Sequence, residues 1–394
     1  MNSPPGDAPI RVLFVSHSFP PEGRPLANVG GMQRVATELH AALDEHPEVR
    51  LSSLVLRTSW KWTPVRTAPF LLGLLARIPH VVQRDRIQVV LFSSMVTAPL
   101  ALPLRRWMDA RRVRMVTINH GQDVTLPNRA YQRLLPRAFQ ALDLVLPVSR
   151  ATAAASTARG LPQDRIRVIP NGVDLRRFPP VAHRETERRA LLKMLEDTGR
   201  RISDAALLLC SVGRHQERKG FHWFVNWVMP RLPAEVVYLL GGEGPTTSAV
   251  RAAALQHGLE DRVRLLGRVS EETLALLYRG ADLFVMPNVA VQGDIEGFGV
   301  VMLEAGASGL PIIAADLEGV RDVIEEGENG HLLPSGDADA FAGTIVRYGR
   351  NRVEIAAASV TAARFTSRTF GWSTIADRYV EVLRQTVDSP APLG

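Results

Sequence analysis

The alternation of short apolar runs with longer helical patterns, repeated along the whole chain, constrains the fold most. Ile10–Ser16 is a β-branched, apolar run of strand length, and Leu207–Val212 is a similar run in the second half. In Gly31–Leu43 the apolar residues recur at the spacing of one helical face. Continuous apolar strands separated by helices are typical of parallel sheets that helices cover on both faces. The sequence therefore predicts an α/β fold.

The apolar runs fall into two sets, which the highly charged segment His183–Ser203 separates. Each set predicts a doubly wound sheet, and we expect the junction near Asp174–Pro180, with domains at residues 1–176 and 177–373. Two such sheets placed face to face leave a cleft at the carboxyl ends of their strands, where open α/β sheets bind ligands. The expected strands are Ile10–Ser16, Leu51–Leu56, Gln88–Phe92, Arg114–Asn119, Leu142–Leu146, Ile166–Ile169, Leu207–Val212, Val236–Leu240, Val263–Leu266, Leu283–Met286, Pro311–Ala314 and Gly330–Leu333.

Basic residues are concentrated in the first half of the chain. Residues 1–175 contain 22 Lys and Arg against 12 Asp and Glu, whereas the remainder contains 25 against 28. This asymmetry indicates either an anionic partner, such as a phospholipid surface, nucleic acid or an acidic substrate, or an arginine-rich composition without a dedicated partner. One segment of this half suits a lipid interface, because paired tryptophans with a nearby cation, Trp60, Lys61 and Trp62, precede the apolar run Phe70–Ile78. The same run also fits a core helix.

Several functional classes lack their motifs. The single cysteine, Cys210, lies in an apolar run, which excludes a disulfide scaffold and predicts a core residue. The chain has no dinucleotide fingerprint after the first strand, no P-loop, no nucleophile elbow and no zinc-binding spacing. We therefore expect neither a cofactor nor a metal. Nucleic acid is disfavoured, because no aromatic platform interleaves with the basic residues.

The sequence also predicts a location. The N-terminal residues lack the basic and apolar regions of a signal peptide. The longest uncharged stretch, Ile87–Leu104, contains prolines and polar residues, which favours a buried strand and a helix start over a membrane span. We expect a cytoplasmic protein, with peripheral binding to the inner face of the membrane as an open question.

The strongest motif is a pair of carboxylates eight residues apart, Glu296 and Glu304, with a Gly-x-Gly turn after the first. We expect the turn to begin a helix whose free N–H groups form an anion site between the carboxylates, which are about 12 Å apart along such a helix. A nucleotide sugar presents a polyol ring, a pyrophosphate and a ribose diol in the same order, although an ordinary surface helix also fits. The segment predicts ligand contacts at Glu296, Gly297, Phe298, Gly299, Val300 and Glu304.

Four other segments predict weaker contacts at the ends of strands. Gly213 leads into a loop in which Arg214 and Lys219 can neutralise a diphosphate, although a charged loop is usually only solvated. The remaining expected ligand contacts are a close backbone approach at Gly244, a base pocket beside Arg268 and Val269, and a phosphate contact at Gly30 and Gly31.

His120 is a separate candidate. It follows the apolar strand that ends at Asn119, and Gly121 comes next. This position at the carboxyl end of a strand favours a functional histidine about as strongly as a structural one.

Taken together, the motifs resemble those of the retaining, family-4 glycosyltransferases, which have the GT-B fold. They run in the family's order, and the Glu-x7-Glu block is the most specific of them. The matching pieces are Gly30-Gly31, His120-Gly121, Pro147-Val148-Ser149, Ile169–Asp174, Gly213-Arg214, Arg218-Lys219-Gly220, Gly244-Pro245, Gly267-Arg268-Val269, Ala281-Asp282, Pro287, and Glu296–Gly299 through Glu304-Ala305.

The resemblance implies two Rossmann-like domains and a closing C-terminal helix that crosses back to the first domain, at about residues 374–394, after Phe370–Ser373. It also implies that the transfer needs neither a metal nor a separate base, because the leaving phosphate accepts the proton on the same face. The implied roles are the donor diphosphate for Arg214 and Lys219, the ribose for Glu304, the donor sugar for Glu296, the phosphate for Gly31, and the anomeric carbon for His120.

The implied activity is the transfer of a hexose from a UDP- or GDP-sugar to a hydroxyl of a lipid-linked or cell-surface glycan precursor. A nucleotide-sugar 2-epimerase on the same fold and a non-catalytic scaffold that binds a nucleotide sugar are the alternatives. Two segments depart from the family pattern: the Pro-rich loop His17–Val29 and the long charged segment Glu185–Ser203.

Overall fold

The computed structural model describes residues 8–23, 31–59, 62–181, 183–197 and 201–389. The chain divides into two compact units. The first unit comprises Met1–Gly172 and Trp372–Gly394, and the second comprises Val173–Gly371. Gly30, Trp60 and Lys61 lie outside the described residues.

The described strands of the first unit form a five-stranded parallel sheet in the order β2-β1-β3-β4-β5. The strands are β1 (Ile10–Phe19), β2 (Val49–Arg57), β3 (Val89–Phe92), β4 (Arg114–Asn119) and β5 (Leu144–Pro147). The helices are α1 (Gly31–Asp44), α2 (Thr63–Arg84), α3 (Ala101–Asp109), α4 (Gln122–Thr125), α5 (Arg129–Gln140) and α6 (Arg150–Thr157). The strand order reverses between β1 and β3, so a switch point, where open α/β sheets bind ligands, lies between their carboxyl ends.

The prediction of a strand at Ile166–Ile169 is wrong. Only Ile166 forms a bridge, to Val145 on β5. Val168 is 40% exposed, and Pro170 follows without a backbone N–H to donate. The segment therefore does not bury both faces as the inner strands do.

The described strands of the second unit form a six-stranded parallel sheet in the order β11-β10-β9-β6-β7-β8. The strands are β6 (Leu207–Val212), β7 (Val236–Gly241), β8 (Val263–Gly267), β9 (Leu283–Met286), β10 (Ile312–Ala315) and β11 (Gly330–Leu333). The helices are α7 (Arg184–Asp197), α8 (Phe221–Trp223), α9 (Thr247–Gln256), α10 (Glu271–Gly280), α11 (Val300–Ala307), α12 (Ala338–Arg350) and α13 (Arg352–Phe370). Here the strand order reverses between β6 and β9, which places the second switch point at their carboxyl ends. Cys210 is buried in β6.

The last helix, α14 (Trp372–Asp388), belongs to the first unit. Trp372 donates a 2.7 Å hydrogen bond from Nε1 to Glu38 Oε2 on α1. The ring also lies against Gly172, where an added Cβ would come within 2.4 Å of it. The absence of a side chain at Gly172 therefore allows the chain to return to the unit in which it began.

Candidate functional site

The strongest candidate site lies at the switch point of the second sheet. The loop after β6 carries Arg218 and Lys219, and the loop after β9 carries Asn288, Asp294 and Glu296. Because β6 and β9 are adjacent and parallel, both loops emerge at the same edge of the sheet. The strand order thus brings together side chains that are about seventy positions apart in sequence.

Glu296 is the centre of this site. Its Oε2 lies 2.6 Å from Lys219 Nζ, and it accepts a 3.2 Å hydrogen bond from Asn288 Nδ2. Arg218 Nε is 3.5 Å from the same oxygen, and the three charged side chains are at most 10% exposed. Burial by itself would raise the pKa of Glu296, but the charges of Lys219 and Arg218 outweigh it and hold the pKa below its usual range. The carboxylate is therefore ionised at neutral pH.

Buried ion pairs are weak evidence for stability, because the desolvation of both partners offsets much of their attraction. Here two cations and a carboxylate are held at the edge of a sheet where open α/β folds bind ligands. This arrangement indicates a site for an anionic ligand with hydroxyl groups, since cations bind phosphate and a carboxylate accepts hydrogen bonds from a diol.

Three residues that sequence analysis did not select as site residues, Arg218, Asp294 and Asn288, help to complete the site. Arg218 Nη1 donates to both oxygens of Asp294, at 3.0 and 2.9 Å. Asn288 reaches Glu296 from the residue after Pro287. The sequence shows Arg218 only as part of the Arg218-Lys219-Gly220 motif, and the signal for Asn288 and Asp294 is their position in the loop after a strand.

The loop after β10 contributes a third contact. Glu318 Oε2 accepts a 2.5 Å hydrogen bond from the Glu296 N–H, and the Gly319 N–H donates to the Glu296 carbonyl at 3.1 Å. Neither residue was predicted as part of the site. Their distance of more than twenty positions from Glu296 hides the contact from any local pattern.

Close backbone packing holds the loops of this site together. An added Cβ at Gly220, whose φ is +67°, would lie 1.8 Å from the Pro287 carbonyl oxygen. An added Cβ at Gly244 would lie 2.3 Å from the carbonyl oxygen of His215. Thr247 Oγ1 accepts from the Gly244 N–H at 3.0 Å and lies 2.8 Å from His215 Nδ1. Only glycine fits at these two positions, because a side chain would meet the backbone of the neighbouring loop; the ligand contact predicted at Gly244 stays a prediction.

His215 was not selected from the sequence. Its Nε2 is buried and has no hydrogen-bond partner among the described residues. Burial lowers the pKa of His215, while Glu243 partly opposes that effect. Buried polar atoms are usually hydrogen-bonded, so this nitrogen beside the loops of the site is available to a polar group of a ligand.

The predicted arginines occupy a different environment. Arg214 is exposed in the loop after β6, directly after Gly213. The Arg268 side chain is 88% exposed and its Nε lies 3.2 Å from Glu243 Oε2, while Val269 Cγ1 would be 3.3 Å from an added Cβ at Gly241. The structure therefore does not bring Arg214 and Arg268 into the buried cluster with Glu296.

The expectation that the Gly-x-Gly turn begins a helix is confirmed, but Glu296 lies before that helix and not on it. Gly297 and Phe298 are not helical, and Gly299, at φ +82°, precedes the first helical residue, Val300. The helical spacing of about 12 Å between Glu296 and Glu304 therefore does not apply. The left-handed backbone at Gly299 ends the extended loop and starts α11.

Glu304 lies on α11 and is 1% exposed. Its Oε2 accepts a 3.0 Å hydrogen bond from the hydroxyl of Tyr278 on α10. Phe298, which precedes α11, is also buried and packs edge-on against Phe370. The hydrogen bond from Tyr278 thus links the Glu304 carboxylate on α11 to α10.

In the first unit, His120 lies after β4, one strand away from the switch point between β1 and β3. Its Nε2 is 2.9 Å from the carbonyl oxygen of Ser93, and because a carbonyl oxygen only accepts, Nε2–H is the donor. The His120 N–H donates to Asp123 Oδ1 at 2.8 Å, and the Met95 N–H donates to Asp123 Oδ2 at 3.1 Å. Asp123 thus joins the loops that follow β3 and β4.

His17, near the end of β1, was missed by sequence analysis. Its Nδ1 is 3.5 Å from Ser94 Oγ, and the side chain is buried. Burial and the neighbouring His120 lower the pKa of His17 to about 4, so the ring is neutral at pH 7. The polar triplet Ser16–Ser18 within an apolar strand was the available signal. Gly31, also predicted as a contact, is the exposed first residue of α1.

Within the ranges that the structure describes, no group of three or more His, Cys, Asp and Glu side chains is arranged to hold a metal ion.

Two family models match the chain: "Glycosyltransferase Family 4" over residues 29–177 and "Glycosyl transferases group 1" over residues 206–351. The chain belongs to glycosyltransferase family 4. This confirms the family that the sequence motifs indicated.

Among curated relatives, the chain is 30% identical over 270 residues to the putative colanic acid biosynthesis glycosyltransferase WcaL of Salmonella typhimurium, covering 66% of this chain and 61% of the relative. It is 28% identical to the amylovoran biosynthesis glycosyltransferase AmsK of Erwinia amylovora, over 61% of this chain and 56% of the relative. The chain thus spans less than two thirds of these two relatives. It is 25% identical to the GDP-mannose-dependent alpha-(1-6)-phosphatidylinositol monomannoside mannosyltransferase of Mycobacterium tuberculosis, over 95% and 98% of the two chains.

Solved structures confirm the fold. Anabaena Alr3699/HepE in complex with UDP and glucose superposes with a TM-score of 0.70 at 19% identity, over 95% of this chain and 100% of that chain. The sucrose-phosphate synthase of Thermosynechococcus elongatus superposes with a TM-score of 0.69 at 20% identity, over 95% and 98%. The predicted GT-B architecture of two Rossmann-like parallel sheets is therefore confirmed.

Proposed function

We propose that this family member is a retaining glycosyltransferase that moves a hexose from a UDP- or GDP-sugar to a hydroxyl acceptor. The acceptor we propose is a lipid-linked or cell-surface glycan precursor. One observation carries the proposal: a buried, ionised Glu296 beside Lys219 and Arg218 at the switch point of the second sheet. Relatives named for colanic acid and phosphatidylinositol mannoside synthesis support an acceptor in the cell envelope.

In the proposed reaction, the bond from the anomeric carbon to the diphosphate breaks as the acceptor oxygen bonds to that carbon on the same face. The acceptor proton passes to the leaving phosphate, so the anomeric configuration is retained. Lys219 and Arg218 stabilise the charge that develops on the diphosphate, which makes a metal unnecessary. Glu296 accepts hydrogen bonds from the hexose hydroxyls. In the first unit, His120 Nε2 donates to the carbonyl oxygen of Ser93, so Nδ1 is the ring nitrogen that remains available to a ligand.

The test is a calorimetric panel of UDP-, GDP-, ADP- and TDP-sugars, with and without EDTA. We expect one donor to bind in the presence of EDTA. With that donor, a transfer assay should show that Glu296→Gln weakens or abolishes turnover. Glu260→Gln, a change at an exposed glutamate in a turn of the second unit, is the matched control and should bind like the wild type. Binding of no donor would contradict the proposal.

The stereochemistry has its own measurement. Proton NMR of the first product should show the anomeric configuration of the donor. An inverted product would leave a glycosyltransferase but refute the retaining mechanism. Loss of turnover in EDTA would refute metal independence.

We also propose that the first unit binds the inner face of the cell membrane through α2. Val65 and Leu72 on this helix are 66% and 71% exposed. Trp62, which precedes the helix, is about half exposed. Arg66 and Arg77 are exposed on the same helix, and no acidic residue lies between Thr63 and Arg84. Exposed apolar side chains flanked by cations suit a surface of anionic lipid.

By length and composition, the segment Val65–Arg84 is the one described helix that could span a membrane, and about a fifth of it is buried. Leu74 and Ile78 on its other face are fully buried in the core, which supports an interfacial helix rather than a span.

Sedimentation with vesicles of phosphatidylcholine and phosphatidylglycerol tests the surface. We expect Val65→Ser combined with Leu72→Ser to weaken binding at least tenfold, because two apolar side chains lose their burial in lipid. Leu255→Ser, at a side chain 66% exposed in the second unit, is the matched control. Equal binding of all three proteins would refute the surface.

A further inference from the structure

The side chain of Glu318 contacts the backbone of Glu296, the central residue of the candidate site. Its Oε2 accepts the Glu296 N–H at 2.5 Å, while the next residue, Gly319, donates to the Glu296 carbonyl at 3.1 Å. An added Cβ at Gly319 would come within 2.2 Å of the Gly297 carbonyl oxygen. The Glu318-Gly319 dipeptide thus holds both peptide groups of Glu296 from the loop after β10.

Glu318 adopts a backbone conformation that is unfavourable for its residue type. Its φ is +48°, and only Arg86 and Arg112 share a positive φ among the other non-glycine residues that the structure describes. The left-handed region is disfavoured for residues with a Cβ, and such residues persist where surrounding contacts require them. A glycine would occupy this position without strain.

The carboxylate of Glu318 is also in an unfavourable electrostatic position. It is half-buried, and Glu296 and Asp294 are close enough to repel it. Burial and Glu296 raise the pKa of Glu318, although the hydrogen bond from the Glu296 N–H and the charge of Arg218 partly oppose this. Neither the backbone nor the charge at this position favours glutamate for stability, so its side chain has another role.

We propose that Glu318 is a positioning residue for the glycosyl transfer proposed above. By accepting the Glu296 N–H, it fixes the peptide from which the Glu296 side chain extends toward Lys219. It also fixes the start of the segment Gly297–Val300, whose N–H groups precede and open α11. This inference rests on the proposed function for its effect on turnover, but the positioning itself is a property of the protein alone.

The experiment compares Glu318→Gly with Glu318→Gln. Glycine removes the acceptor and relieves the backbone, so the variant should melt at or above the wild-type temperature. Hydrogen exchange at the Glu296 amide should accelerate about tenfold or more, and kcat should fall about tenfold with a smaller change in KM, since a lost hydrogen bond is worth about a factor of ten. The glutamine side-chain oxygen can accept the same bond, so Glu318→Gln should keep most of the protection and turnover.

Arg86→Gly and Arg112→Gly are the matched controls, because both residues have a positive φ, are exposed and lie in the first unit. They should relieve a similar strain without changing turnover or exchange at Glu296. A rise in melting temperature with a fall in kcat, seen only for Glu318→Gly, is an outcome that a purely structural role does not produce.

The two proposals fail in different ways. Unchanged exchange at Glu296 in Glu318→Gly overturns the positioning role, whether or not a donor is found. Faster exchange with unchanged kcat overturns its contribution to transfer. Absence of any transfer by the wild type refutes the proposed function, while the exchange measurement still decides the positioning role.

Discussion

The two units share a parallel, doubly wound architecture but differ in the chemistry near their switch points. In the first unit the groups there include the imidazole of His17, which is neutral at pH 7, the hydroxyl of Ser94 and, one strand further on, the imidazole of His120. In the second unit the groups are ionised, with Lys219 2.6 Å from Glu296.

The difference shows that the architecture decides where a site lies and the loops decide what it binds. Burial without a counter-charge lowers the pKa of His17 and keeps it neutral, whereas burial beside two cations leaves Glu296 ionised. Under the proposed function, the ion-paired groups at the switch point of the second unit suit a sugar diphosphate, and the groups near the switch point of the first unit suit hydroxyl groups. Four substitutions can break or sharpen this contrast.

The largest effect is expected at the ion pair of the second unit. Lys219→Met leaves Glu296 buried with only the more distant Arg218, and removal of one partner of a buried pair costs about 3–5 kcal/mol. Urea unfolding should show this loss in the free energy of unfolding. Lys193→Met, at an exposed lysine on α7, is the control. A loss below about 1 kcal/mol would show that the pair is not effectively buried.

The next effect is a pH dependence in the first unit. The pKa of His17 is lowered to about 4 in the folded chain, whereas the unfolded value is near 6.5. The unfolded state therefore binds a proton first, and stability falls as the pH drops from about 6.5 to 4, by up to about 3 kcal/mol. Chemical unfolding at several pH values measures this dependence. Between about pH 6.5 and 4, the free energy of unfolding should fall less steeply with decreasing pH in His17→Asn than in the wild type.

The exposed His80 provides the control for that measurement. His80→Asn should keep the wild-type slope. Equal slopes in the wild type and His17→Asn would contradict a neutral, buried His17.

A smaller loss is expected for Asp123→Asn, because the amide keeps one acceptor oxygen but presents an NH₂ group to a backbone N–H. In the wild type, the Asp123 carboxylate accepts the backbone N–H groups of both His120 and Met95. The variant should therefore lose about 1–2 kcal/mol of the free energy of unfolding. Thermal unfolding measures the loss. Asp164→Asn, at an exposed position in the same unit, should leave stability unchanged, and an equal loss in both variants would argue against the link between the loops.

The smallest effect on stability is expected for Arg214→Gln. Arg214 is exposed, so the free energy of unfolding should change by less than about 0.5 kcal/mol. If Arg214 contacts the diphosphate as predicted, donor affinity should nevertheless fall several-fold in calorimetry. Arg251→Gln, exposed on α9, should change neither quantity. Unchanged donor affinity in Arg214→Gln would remove this residue from the site.

Much of the fold could be predicted, because strand formation depends on local composition. Leu207–Val212, Arg114–Asn119 and Gly330–Leu333 form strands with the predicted bounds. Ile166–Ile169 has a similar composition, but Val168 is exposed, Pro170 follows, and only one bridge forms. Lys219 and Glu296 were selected as separate signals. Their contact could not be predicted, because it depends on the order of the strands.

The sequence by itself determined the family, the parallel α/β architecture and the positions of the candidate residues at strand ends, since these follow from local patterns and motif order. Only the tertiary structure decided which side chains meet. Placing β6 beside β9 brings Arg218 to Asp294, and the loop after β10 brings Glu318 to the Glu296 backbone. Charge pairing and burial are effective only at short distances through space, so these contacts exist only once the whole sheet has formed.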